Sequence, residues 1–178
     1  VRSRLLAVRA QRPQPARDDK VVVVWNALAV TALVEASVAL DRPEWVARAA
    51  ETAEEVWSLH LVDDVLRRAS LGGVVGEPLA ALDDHAALAT ALLTLHQVTG
   101  ETGWRDRALH LLDLAIDRFA DPEAPGAWFD APGGSLITRP RDPVDGATPA
   151  GASLMAEALL TASLLAPIDQ ASRYAALG

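Results

Sequence analysis

Three side chains of this sequence have the chemistry to move protons near neutral pH: His85, Asp84 and Asp145. An imidazole titrates close to neutrality and serves as a general base. Carboxylates bind hydroxyls or shuttle protons, and glycoside hydrolysis needs two of them flanking the scissile bond. Other residues suit the holding of a polyhydroxylated ligand. Trp25 and Trp128 offer flat apolar faces on which a sugar ring stacks, and Asn26, Asp19, Asp142 and Ser153 offer hydroxyl partners. Arg139 suits a carboxylate or a phosphate.

Each of these has a plain structural alternative. Asp83 and Asp84 fit as helix caps, and Asp145-Gly146 fits as a turn. His85, Ala89, Leu92 and His96 share one helical face. If that face lines a cavity, His85 is a base; if it packs on a neighbour, His85 is an interior histidine. Trp45 and Trp104 occupy equivalent places on amphipathic faces and read as packing residues. His60 and His110 have no partner at metal-ligand spacing, so no structural zinc and no other cofactor are expected.

Composition narrows the classes. The chain has 178 residues, 51% hydrophobic and 22% charged, enough for a real core and too apolar for disorder. Its net charge of -8 and its lack of any basic block argue against nucleic acid. The absence of cysteine removes disulfides, thiolate metal sites and thiol redox chemistry. The uncharged run Val21 to Val34 is shorter than the ~18 residues a membrane helix needs. Arg2, Arg4, Arg9 and Arg12 interrupt the opening segment where a secretory leader would be apolar. A cytoplasmic setting is the expectation.

Ala and Leu dominate and aromatic residues are only 4%, which predicts an all-α fold. Helices are expected over about Val21 to Leu40, Pro43 to Leu61, Asp83 to Thr99, Gly103 to Ala120 and Pro149 to Ala166, with another from Ile168. Asp41 with Glu44 reads as a capping box around Pro43, Thr148-Pro149 as another N-terminus, and Gly100 as a left-handed stop. Two segments rich in glycine and short apolar runs, Val65 to Val75 and Trp128 to Thr138, read as β-hairpins or ordered loops. The stretch Arg139 to Thr148 is irregular, a usual place for binding groups.

The sequence also repeats. One shift against itself places Trp45, Arg48 and Ala49 onto Trp104, Arg107 and Ala108, and Asn26 onto His85; a longer one places Ala89 to Thr94 onto Ala156 to Thr161. The unit is a helix pair of roughly 60 residues, present nearly three times. First helices are apolar all round and second helices amphipathic, as Val21 to Val34 and Glu51 to Glu55 show, which predicts an inner and an outer layer. Such layers build concentric α/α rings, which close with about six pairs. Three pairs give an arc, so residues 1–178 are expected to be part of a larger ring or to associate as a homodimer.

Three motifs carry a family resemblance: Asp18-Asp19-Lys20 leading to Trp25-Asn26, Leu82-Asp83-Asp84-His85, and Arg139-Pro140-Arg141-Asp142 leading to Asp145 and Pro149. In order and spacing the chain resembles the C-terminal region of the YyaL-type thioredoxin-domain proteins, the spermatogenesis-associated protein 20-like family. The resemblance implies part of a six-hairpin α/α toroid similar to N-acylglucosamine 2-epimerases and to glycosidases of that fold. It also implies a thioredoxin-like domain in cis in full-length relatives. The family pattern has a glycine at Ala27, Glu-Asp-Tyr at Asp83 to His85, and hydroxyl and amide groups at Ala150 and Ala152.

Two functions follow. The first is a carbohydrate-related toroid that binds a sugar-like ligand, with epimerase-like proton transfer through His85 or glycosidase-like chemistry through an Asp pair. The second is a non-catalytic helical scaffold for a thioredoxin-like domain, motivated by the polar groups missing at Ala150 and Ala152, or a fragment without activity of its own.

Overall fold

A computed structural model describes residues 1–134 and 137–178. The first helix, α1 (Arg2–Ala10), buries none of its side chains. An extended segment then leads into α2 (Val23–Ala39) and α3 (Glu44–His60), two short hairpins, α4 (Leu82–Thr99), α5 (Thr102–Phe119), a long irregular stretch, α6 (Gly151–Leu165) and α7 (Ile168–Leu177).

The expected layering is present. α4 packs between α2 and α6, and each of these three apolar helices carries an amphipathic partner behind it: α3 on α2, α5 on α4 and α7 on α6. Three helical hairpins stacked in two layers form the α/α arc that the repeat predicted. α4 holds the centre, with Leu88, Leu92, Leu93 and Leu95 all completely shielded from water. Each such leucine contributes about 1.5–3 kcal/mol of burial.

Between α3 and α4 lie β2 (Leu61–Val62), β3 (Val65–Leu66), β4 (Ala69–Leu71) and β5 (Val74–Val75). β2 pairs with β3 and β4 with β5, both antiparallel. Their two-residue loops, Asp63-Asp64 and Gly72-Gly73, all have positive φ, which is the type I′ geometry that matches strand twist. β1 (Val21–Val22) adds to β4, so the start of α2 is tied to the second hairpin. Val21 and Val22 are therefore strand, not the first turn of the helix.

Several boundaries differ from the sequence expectation. Asp41 caps no N-terminus: it takes φ 51° just after α2, and the Arg42 N–H returns to the Ser37 carbonyl at 2.9 Å. That bond closes the C-terminus of α2 in a Schellman-like turn, leaving Pro43 to begin α3. α6 starts at Gly151, two residues beyond Pro149, with Ala150 and not Thr148 as its N-cap and the Ala150 N–H held by Asp145. Gly100 does stop α4, at φ 73°. In the segment Trp128 to Thr138 the described residues form one isolated bridge, Ala120 to Trp128, and no strand pair; Ser135 and Leu136 lie outside the described residues. Among the described residues no helix is long and apolar enough to cross a membrane.

Trp45 and Trp104 both serve packing. Arg42 stacks over Trp45 with 5.0 Å to the ring centroid, and Arg107 lies 5.2 Å from both Trp57 and Trp104. The two tryptophans thus occupy equivalent outer-helix positions, each covered by an arginine.

Candidate functional site

The N-termini of the inner helices α4 and α6 open on a cavity of about 410 Å³. Its walls include Arg68 from the hairpins, Asp83 from α4, Asp130 and Asp142 from the long connection, and the segment Gly146 to Gly151. Helix N-termini meet here because Gly151 lets α6 approach α4 closely: a Cβ on it would lie 3.2 Å from both the Leu82 side chain and the Asp83 amide nitrogen. A second recess of about 250 Å³ shares Asp130 and Asp142 and adds Trp128 and Arg141 to its wall.

Five hydrogen bonds position these walls. The Leu82 N–H donates to the Asp130 carbonyl at 3.0 Å, pinning the connection to the start of α4. The Asp142 N–H donates to the Asp130 carboxylate at 2.6 Å, which brings the two acids side by side. The Ala150 N–H donates to Asp145 Oδ1 at 2.8 Å, holding the residue that precedes α6. Those backbone and Ser153 hydroxyl bonds hold the Asp145 carboxyl below its ordinary pKa. Arg68 completes the set, with Nη1 at 3.1 Å from Asp83 and 2.8 Å from Asp84.

Asp84 sits beneath this cavity, its side chain fully buried. It accepts hydrogen bonds from the Val24 N–H at 3.0 Å, the Ala81 N–H at 2.9 Å and Arg68. One carboxylate therefore caps α4 and, across the inner layer, satisfies an orphan donor of α2, whose own N-cap Val22 supplies no side-chain bond. Burial and the neighbouring Asp83 charge push its pKa up to about 6, against the pull of its hydrogen-bonding partners.

His85 is only 1% exposed. Its Nδ1 meets the Ala81 carbonyl at 2.9 Å, and its ring packs edge-on against Phe119 of α5 with centroids 5.1 Å apart. Nε2 has no partner among the described residues. Burial pulls the pKa down to about 4, so the ring is neutral at physiological pH. The face of α4 that carries His85 is a packing face, turned to α5.

The remaining sequence candidates are dispersed. Trp25 is 59% exposed on α2, and Asn26 donates to the Val22 carbonyl one turn back at 2.8 Å. Asp19 pairs with Arg17 in the exposed segment ahead of β1. Arg139 stacks on Phe129 with 3.9 Å to the centroid and donates to the Ala131 and Arg118 carbonyls; it borders a different cavity. Of the sequence candidates, Asp142 lines the mouth and Trp128 the adjoining recess, Asp145 holds the Ala150 N–H in the segment that walls the mouth, and Asp84 lies behind it on Arg68 and Ala81; Trp25, Asn26, Asp19, His85, Ser153 and Arg139 do not line it. Arg68 and Asp130 belong to the mouth and were absent from the sequence candidates. Arg68 lies in the bend between β3 and β4 and Asp130 in a loop, so no periodicity marks either. Among the described residues no cluster of three or more His, Asp or Glu is placed to hold a metal ion.

No family model matches the chain. Spermatogenesis-associated protein 20 of mouse is 31% identical over 169 residues, covering 88% of this chain and 21% of the mouse protein; the human protein of that name is 28% identical over the same length. An uncharacterised protein of Caenorhabditis elegans is 33% identical over 62% of the chain. The chain thus spans about a fifth of the length of these relatives. Among solved structures, the GH76 alpha-mannanase of Bacteroides thetaiotaomicron superposes with a TM-score of 0.66 at 14% identity, over 90% of this chain and 43% of the mannanase chain. That likeness establishes an α/α-toroid architecture. The resemblance read from Trp25-Asn26, Leu82 to His85 and Arg139 to Pro149 therefore holds, and the chain is a homologue of the spermatogenesis-associated protein 20-like proteins over one α/α-toroid region.

Proposed function

We propose that this region binds a neutral carbohydrate at the mouth formed by the N-termini of α4 and α6, and that residues 1–178 supply part of a ring in a longer protein. One observation carries the proposal: Asp83, Asp130 and Asp142 converge with Arg68 on one cavity, beside a recess walled by Trp128. Carboxylates accept from sugar hydroxyls, a guanidinium donates to them, and an indole packs on the apolar face of the ring. The fold it shares with an alpha-mannanase supports hexose units as the ligand class.

Binding fits the geometry better than turnover does. Asp84 spends its oxygens on Val24, Ala81 and Arg68, and His85 is enclosed against Phe119. Any proton transfer would fall to Asp130 or Asp142. In a longer protein a thioredoxin-like domain in cis is the partner we propose from the family resemblance, and a cytoplasmic setting goes with it.

The test is titration of the chain with mannose, mannobiose and glucose, followed by amide chemical shifts. Saturable shifts that map to residues 81–84 and 142–151, weakened about tenfold by Asp142→Ala, are expected from the loss of a charged hydrogen-bond partner. Absence of saturation up to about 50 mM sugar would overturn the proposal, since that limit corresponds to less than 2 kcal/mol of binding.

A further inference from the structure

A second cavity, larger than the mouth just described, has no part in it. It measures about 650 Å³ and lies between β3, the C-terminal end of α5 and the connection around Pro132. Its lining holds three arginines, Arg67, Arg118 and Arg139, and one carboxylate, Asp117. This is an unusual concentration of positive charge in a chain whose net charge is -8.

None of the three guanidiniums is paired with an acid among the described residues, although Arg68, Arg105, Arg107, Arg141 and Arg173 all are. Each is held instead by main-chain carbonyls. Arg67 donates to the Glu77 carbonyl at 2.6 Å, Arg118 to the Asp64 carbonyl at 2.5 Å, and Arg139 to the Ala131 and Arg118 carbonyls at 2.9 and 2.6 Å. Carbonyl oxygens fix the direction of a guanidinium without cancelling its charge. The arrangement is preorganised: the Arg118 carbonyl orients Arg139, and the hairpin and the connection each anchor one of the others. Three like charges around a partly desolvated cavity repel one another, and a multiply charged anion relieves that repulsion while filling their free N–H groups.

From this we infer that the cavity between β3, α5 and the Pro132 connection is an anion site that takes a phosphate-bearing small molecule. The fork geometry of guanidinium matches phosphate oxygens in pairs. Leu66 and Ala80 in the same wall give the rest of the ligand an apolar floor, and the volume admits a body of monosaccharide size beyond the phosphate. The site is separate from the acidic mouth, so it stands whether or not the mouth binds sugar.

Titration calorimetry with inorganic phosphate, glucose 6-phosphate and glucose separates the possible sources. Glucose 6-phosphate is expected to saturate the site, with phosphate weaker and glucose silent; equal affinity for phosphate and glucose 6-phosphate would assign the site to the free ion. Arg67→Gln, which removes one guanidinium anchored by a single carbonyl, is expected to weaken binding by about tenfold or more. Arg48→Gln, on the exposed face of α3, is expected to leave it unchanged. As a readout that needs no variant, phenylglyoxal labelling of the unaltered chain should spare Arg67, Arg118 and Arg139 when glucose 6-phosphate is present and not when glucose is. No saturation by either phosphate up to about 10 mM at low salt, or labelling at these three arginines that phosphate does not slow, would overturn the inference.

Discussion

Replacing Asp84 with alanine removes a carboxylate that serves three partners from separate parts of the chain. Two are main-chain donors, the buried Val24 N–H and the part-buried Ala81 N–H, at 3.0 and 2.9 Å. Leaving a buried donor unsatisfied costs about 1–3 kcal/mol each. The third, Arg68, is 39% exposed and turns to water or to Asp83, so its share is about 1 kcal/mol at most. With the part-buried Ala81 N–H at the low end of that range, Asp84→Ala should cost about 2–5 kcal/mol, a large part of the 5–15 kcal/mol that a domain has. Asp84→Asn keeps one acceptor oxygen and sheds the cost of burying a charge, so it should cost clearly less. Asp83→Ala is the control: its side chain is 28% exposed and bonds mainly to Arg68, and a loss near 1 kcal/mol is expected. Urea unfolding followed by far-UV circular dichroism gives all three values. A loss below about 1 kcal/mol for Asp84→Ala, or a larger one for the asparagine variant, would refute the role assigned to this residue.

Acid should act on two neighbours in opposite senses. His85 has its pKa lowered by burial to about 4, so its stabilising share is complete above the ordinary 6.5 and is lost as pH falls from there through 4. Asp84 has its pKa raised to about 6, so the folded state gains as pH falls from 6 toward the ordinary 3.8. His85→Leu removes only the first effect, and the variant should gain on the parent between about pH 7 and pH 4.5 in urea unfolding; parallel profiles would count against the burial of a neutral imidazole. Gly151→Ala places a Cβ 3.2 Å from Leu82 and the Asp83 amide, where α4 cannot easily retreat, and should cost about 1–3 kcal/mol. A thermal midpoint lower by a few degrees is expected, and an unchanged midpoint would mean that the two helices are less closely apposed.

The layered architecture was legible because the repeat and the contrast between apolar and amphipathic helices are one-dimensional patterns. Trp45 and Trp104 aligned in sequence and do occupy matching outer-helix positions. Hairpins were legible at Gly72-Gly73, where positive φ demands that residue type, but less so at Asp63-Asp64, where aspartate takes the same geometry. Asp41 misled for a related reason: an acidic residue before Pro-Glu fits a capping box, yet the same short polar side chain tolerates the left-handed turn that closes α2. The site was only half legible. Asp142 lines the mouth as a sequence candidate, and Asp145, three residues on, fastens the Ala150 N–H in the same connection. Arg68 and Asp130 reach the mouth only through the packing of a hairpin and a connection on the start of α4, and local sequence does not encode that juxtaposition. His85 shows the converse, since its helical face was correctly drawn but only the position of Phe119 reveals which neighbour that face meets.

Each hairpin of the arc touches chiefly the hairpins before and after it, with α4 flanked on every side and α1 burying nothing. Opening free energies must then be graded along the chain rather than shared equally. The amides of α4 are released only when the arc as a whole comes apart, α7 answers to α6 and, through Arg173 and Tyr174, to Asp113 of α5, and α1 exchanges at almost no cost. A melting curve followed by helical signal accordingly reports the three stacked hairpins and carries the first ten residues as a sloping baseline.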